Sequence, residues 1–158
     1  MSINDDILRV LYSEEELEAK CAELGAQISK DYEGKNLLLV SVLKGAVVFM
    51  TDLMRHITVP CSIDFMVVSS YGSGVKTSGV VKIVKDLDAD LAGKDLLIVE
   101  DILDTGMTLH YLKQLLQDRN PNSIRIATLL DKPERRRAAV RAEIGRAHVR
   151  TPVTLGDL

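Results

Sequence analysis

A chain of 158 residues has the length of one domain with room for a hydrophobic core. Its 46% hydrophobic and 27% charged residues are the proportions of a soluble globular protein. A net charge of −3 argues against a bulk polyanion such as nucleic acid as the main partner, and no apolar run approaches the roughly 20 residues of a membrane span. The opening MSINDDILRVLYSEEE is acidic and lacks the apolar segment of a signal peptide.

Ser13 and Glu16 fit a capping box, and Leu17, Cys21, Leu24 and Ile28 recur on one face behind it. This predicts a helix ending near Gly34. KNLLLVSVL then reads as a buried strand and GAVVFMTDLMRHI as a helix packed on it. CSIDFMVVSSY is the next strand, followed by the glycine- and serine-rich GSGVKTSG. VVKIVKDLD returns as a strand, DADLAGKD turns, and LLIVED is an apolar run of strand length. Leucines at 109, 112, 115 and 116 mark a helix over about 107–118. NPNS breaks the chain, and IRIATLLD is another buried strand. Alternating strands and helices, with several strands apolar on both faces, predict an α/β fold: a mainly parallel sheet flanked by helices. Cys21 and Cys61 have no metal spacing, lie on apolar-patterned segments, and are expected as buried free thiols rather than a disulfide.

The stretch EDILDTGMT, Glu100 to Thr108, bridges a buried strand and a helix. Thr105, Gly106 and Thr108 sit where a helix N-terminus offers unpaired N–H groups to a phosphate. Glu100, Asp101 and Asp104 would repel that phosphate. Ligands of open parallel sheets sit at the carboxyl ends of strands, so these acids are expected to face one. Carboxylates accept hydrogen bonds from sugar hydroxyls and bind Mg²⁺, so a sugar phosphate arriving with a metal would use both the acids and the cradle. The alternative is a strand end with solvated acids before an ordinary helix. There is no Walker loop, and YGSGVKTSG is no dinucleotide fingerprint, because Thr77 takes the third glycine position.

LLIVEDILDTGMT resembles the phosphoribosyl-pyrophosphate-binding motif of type I phosphoribosyltransferases. Together with VLKGAVVFM, SSYGSG and LLDKPERR, the chain is similar to the bacterial hypoxanthine (hypoxanthine-guanine) branch over roughly residues 5–142. The resemblance implies a type I phosphoribosyltransferase-like fold with a flexible lid loop. It implies that Glu100 and Asp101 hold the ribose hydroxyls, partly through Mg²⁺. Adjacent strand residues point to opposite faces, so both serve only if the strand gives way to loop at 101. Asp104 would be the general base for the purine N7 proton, and Asp104, Thr105, Gly106, Met107 and Thr108 would wrap the 5′-phosphate. Leu43, Lys44 and Gly45 would bind pyrophosphate, with a cis peptide before the lysine. Without the resemblance they read as a common strand-to-helix connection. Ser70 and Tyr71 would reach pyrophosphate from a closing lid, which otherwise reads as a flexible hairpin. Lys132 would donate to the purine 6-oxo group. By itself it reads as a solvated lysine. Arg135 to Arg137 reads as a solvated run, and His56, His110 and His148 form no cluster.

From Glu143 the chain departs from the resemblance, dividing it into a phosphoribosyltransferase domain, 1–142, and an atypical tail, 143–158. Ile144 to Val149 is what a common sequencing-library adapter encodes, so the tail reads as adapter-derived, with a divergent C-terminus as the alternative. The expected activity is purine salvage in the cytoplasm: phosphoribosyl pyrophosphate and hypoxanthine, or guanine, give the nucleoside monophosphate and pyrophosphate, with Mg²⁺. Purine use is expected to be impaired, because the domain is C-terminally incomplete. The aromatic, acid and arginine that the resemblance implies near the purine and pyrophosphate have no counterpart after residue 142. A homo-oligomer, dimer or tetramer, is expected, with no nucleic-acid or membrane partner. The alternative is a regulatory protein of the same fold that senses phosphoribosyl pyrophosphate and binds nucleic acid. The net charge of −3 and the lack of an added module count against it.

Overall fold

The computed structural model describes residues 10–70, 80–144 and 147–148. Helix α1 (Glu14–Asp31) begins at the expected capping box. The Ser13 hydroxyl accepts the Glu16 N–H at 3.1 Å, and the Glu16 carboxylate accepts the Ser13 N–H at 2.7 Å. Each satisfies an amide that the helix start leaves open. The helix stops at Asp31, before the positive-φ Gly34, and Tyr32 at its C-cap is buried in the core.

Strand β1 (Leu37–Val42) lies between β2 (Cys61–Ser70) and β4 (Asp95–Leu103), parallel to both. Strand β5 (Ser123–Asp131) runs parallel to β4, and the short β6 (Ala147–His148) pairs in parallel with the end of β5. The exception is β3 (Val81–Lys85), antiparallel to β2. The order β3-β2-β1-β4-β5-β6 is thus the mainly parallel sheet predicted.

Alternation along the strands builds two apolar layers. Leu38, Val40, Leu96, Ile98 and Ile126 meet Leu109, Leu112 and Leu116 of helix α3 (Met107–Gln117) on one face. Leu37, Leu39, Leu97, Val99 and Ala127 meet α1 and the Phe49, Met50 and Leu53 side of helix α2 (Val47–Met54) on the other. Cover on both faces is why these strands read as continuous apolar runs.

Helix α2 is shorter than its sequence pattern suggested. Residues 43–46 form a turn instead, and the helix gives out at Arg55. Both cysteines are free, but only Cys21 is buried and Cys61 is exposed. The reason is topological: β3 pairs only with Val67–Ser70, so the first half of β2 is an open edge on which Cys61, Ser62 and Ile63 face solvent. At the other side of the sheet, Glu143 and Ile144 bond to β5. The Glu143 N–H donates to the Ile126 carbonyl at 2.9 Å, its carboxylate accepts the Ile126 N–H at 2.7 Å, and Thr128 N–H donates to the Ile144 carbonyl at 3.2 Å. The adapter-like residues 145–146 and 149–158 lie outside the described residues.

Candidate active site

The carboxyl ends of β1, β4 and β5 lie side by side, and the residues singled out by sequence gather there. Gly106 takes φ 78° and opens α3 with no side chain of its own to cap it. The Met107 N–H makes only a long 3.5 Å bond to the Thr105 hydroxyl, so the first amides of the helix keep capacity to bind an anion. Glu100, Asp104, Thr105, Gly106 and Thr108 line one concavity of about 160 Å³. Thr108 is exposed and Thr105 half-buried.

Strand β4 does not give way to loop at 101; it continues to Leu103. Its register to β5 pairs Glu100 with Thr128 and Ile102 with Leu130, on either side of Asp101. Glu100 accordingly lines the phosphate-sized concavity, while Asp101 lines a wider groove with Gly45, Phe49 and Leu130. The two carboxyls nevertheless interact. Burial, followed by hydrogen bonding and charge from Asp101, pushes the Glu100 carboxyl up to about 8. A cation placed beside this pair would relieve the repulsion between them. Among the described residues no three His, Cys, Asp or Glu converge as a complete metal cage. Two hard carboxylates beside a phosphate cradle fit Mg²⁺, which keeps waters and shares substrate oxygens instead of needing a full protein cage.

Across the groove, the Leu43–Lys44 peptide is cis, as the resemblance implied. Lys44 and Gly45 are exposed, and the Asp101 carboxylate lies 3.4 Å from where a Cβ on Gly45 would sit. The turn expected to bind pyrophosphate and one of the candidate ribose acids are therefore neighbours. Tyr71 and the rest of the segment expected to be a lid, up to 79, lie outside the described residues, and Ser70 ends β2.

Asp104 and Lys132 are also brought together. The Lys132 N–H donates to the Leu103 carbonyl at 3.0 Å, and Arg135 Nε donates to the Asp104 carboxylate at 3.0 Å. The basic run is thus not simply solvated. Arg136 donates to the Asp104 carbonyl at 2.8 Å and to the Asp131 carboxylate. These arginines escaped the sequence reading because a loop has no periodicity to say which side chains turn inward. The one available signal was a run of arginines beginning four residues after an acid that ends an apolar strand.

An uncapped helix N-terminus with acids beside it and a second turn opposite, at the carboxyl ends of a mainly parallel sheet, fits a phosphoribosyltransferase. The phosphoribosyl transferase domain model matches residues 10–144, and the chain belongs to that family. It is similar to the hypoxanthine-guanine phosphoribosyltransferase of Streptococcus mutans, 57% identical over 134 residues, covering 85% of this chain and 74% of that one. The corresponding Streptococcus agalactiae enzyme is 52% identical over 141 residues, covering 89% and 78%. A crystal structure of a hypoxanthine phosphoribosyltransferase from Staphylococcus aureus superposes with a TM-score of 0.88 at 49% identity, covering 92% of this chain and 78% of that one.

Proposed function

We propose that the chain is a purine-salvage enzyme that transfers the phosphoribosyl group of phosphoribosyl pyrophosphate to hypoxanthine and guanine. The observation that carries this is the arrangement at the carboxyl end of β4: an anion cradle at Gly106, and Asp104 and Lys132 on abutting segments beside it. The kinship with hypoxanthine-guanine enzymes supports the same reading.

In this mechanism the 5′-phosphate lies on the amides from Asp104 to Thr108, with the threonine hydroxyls as further donors. Leu43, Lys44 and Gly45 hold the pyrophosphate, and Glu100 and Asp101 accept hydrogen bonds from the ribose hydroxyls. The two acids do so from the adjoining hollows that they line, their carboxyls being close enough to interact although β4 continues past them. Glu100 and Asp101 would hold Mg²⁺, which would offset the charge of the pyrophosphate. Lys132 donates to the purine 6-oxo oxygen. A donor placed there is left unpaired by a 6-amino group, which disfavours adenine. The purine N9 lone pair forms the new bond to C1′ as the bond from C1′ to the pyrophosphate oxygen breaks. The N7 proton passes to the Asp104 carboxylate, and pyrophosphate leaves with the bonding electrons. Ser70 and Tyr71 close over the site, excluding water that would otherwise capture the electron-poor sugar.

A cytoplasmic setting and a homo-oligomer belong to the same reading. Among the described residues no helix is long and apolar enough to cross a membrane. The test is pyrophosphate release with Mg²⁺ and each of hypoxanthine, guanine, xanthine and adenine. Release with the first two and little with adenine is expected. Release with adenine alone, or none with any base, would overturn the assignment.

A further inference from the structure

The segment after β5 is stitched to the phosphate cradle along its length. Lys132 N–H bonds the Leu103 carbonyl, and Arg137 and Ala138 N–H both reach the Thr105 carbonyl, at 2.9 and 3.3 Å. A one-turn 3₁₀ helix (Pro133–Arg135) returns the chain so that Arg136 comes back under the cradle. There its guanidinium forks. One nitrogen donates to the Asp104 carbonyl at 2.8 Å, and the other to the Asp131 carboxylate. The stem fills the space beside Gly106, where an added Cβ would stand 3.1 Å from the Arg136 Cδ. The pair is secluded, with the Arg136 side chain 16% exposed and that of Asp131 6%.

Asp131 immediately precedes Lys132, and Asp104 opens the cradle. One planar group therefore spans the segment that carries the purine donor and the segment that binds the 5′-phosphate. We infer that Arg136, anchored by Asp131, is a positioning residue that couples phosphate binding at Thr105 and Gly106 to the placement of Lys132. This rests on the reading of Lys132 as the donor to the base. The geometry needs an arginine in particular. A lysine ammonium beside Asp131 keeps the charge but lacks the rigid fork that serves a carboxylate and a carbonyl together. The coupling works because an anion on the cradle draws on the amides next to Asp104, and the fork carries any resulting shift to the end of β5.

Truncating Arg136 would leave the Asp131 carboxylate secluded without a partner and could unfold the chain. The test therefore uses Arg136→Lys and, separately, Asp131→Asn, with circular dichroism to verify folding. Amide spectra are recorded as inorganic phosphate is titrated in. In the unaltered chain, the signals of Thr105 to Thr108 and of Lys132 are expected to move together with one midpoint. In either variant the cradle signals still move, while Lys132 stops responding. Steady-state kinetics should show the KM for hypoxanthine rising about tenfold with a smaller change in kcat, the scale of one charge-assisted hydrogen bond. A purely structural role would instead lower thermal stability and leave Lys132 following phosphate. A Lys132 signal that still responds in both folded variants, or is silent in the unaltered chain, overturns the inference. Failure of the functional assignment looks different: no pyrophosphate is released, whatever the amide signals do.

Discussion

Arg135 Nε donates to the Asp104 carboxylate at 3.0 Å, so in this state the proposed general base is held by an arginine from the segment that follows Lys132. Both side chains are about half exposed, which keeps the pair weak enough for a purine to displace it. Asp104→Asn retains the shape of the side chain and removes its basicity. Turnover should fall by ~10²–10⁴. Affinity for phosphoribosyl pyrophosphate, measured by calorimetry, should change little. A collapse of that affinity with normal turnover per bound substrate would show that Asp104 acts in binding alone.

Lys132→Ala removes the proposed purine donor while leaving the cradle amides in place. The KM for hypoxanthine and guanine should rise by about 10- to 100-fold, the value of a hydrogen bond from a charged donor. Preference over adenine should shrink in parallel, and phosphoribosyl pyrophosphate affinity should hold. Unchanged oxopurine kinetics would mean that the lysine is only solvated.

The close packing of α1 gives a prediction about stability. A Cβ added at Gly25 would lie 2.3 Å from the His56 Cβ and 2.7 Å from the His56 carbonyl oxygen, both beyond any tolerable contact. The gain in helix propensity for Gly25→Ala is about 1 kcal/mol. Overpacking against backbone costs ~1–3 kcal/mol or more, so the clash wins. The His56–Glu18 contact of 2.8 Å, which ties the chain after α2 to α1, should loosen with it. Urea unfolding should show a lower midpoint for the variant; an equal or higher one would mean that the two segments move apart freely.

Asp86 receives both arms of Arg119, each at 2.8 Å, and this hydrogen bonding holds its carboxyl below the usual value of 3.8. A depressed folded-state pKa contributes stability above the unfolded value of 3.8, and that contribution disappears as pH falls through the lower folded value. The side chains are 34% and 46% exposed, so solvent limits the effect to about 1 kcal/mol or less. Asp86→Asn should therefore be slightly less stable than the unaltered chain at pH ~6, with the gap narrowing as the pH falls below 3.8. Parallel urea titrations in the two pH ranges check this, and a gap that persists in acid would locate the effect elsewhere.

Much of the fold was legible because its signals are local or periodic. The Ser13–Glu16 box begins α1 within four residues of chain, and the leucines from 109 to 116 bury one face of α3. The apolar runs at 37–41 and 95–99 read as doubly covered strands because their alternate residues feed opposite layers. The turn between such a strand and such a helix was legible for the same reason, and Gly106 takes positive φ within it. Other features depend on neighbours far away in sequence. Cys61 is exposed because β3 covers only half of β2, and a residue's own pattern cannot report the length of its partner strand. Glu100 is pushed up to about 8 by burial and by Asp101 at a strand end that keeps its ladder to Leu103, where the sequence suggested a break. Arg135 and Arg136 looked like a solvated run until the turn after β5 aimed them at Asp104 and Asp131. Periodicity and turn chemistry act over a few residues and so are written in the chain itself. Burial of a charge and the choice of its partner arise only when distant segments pack, so tertiary structure alone decided them.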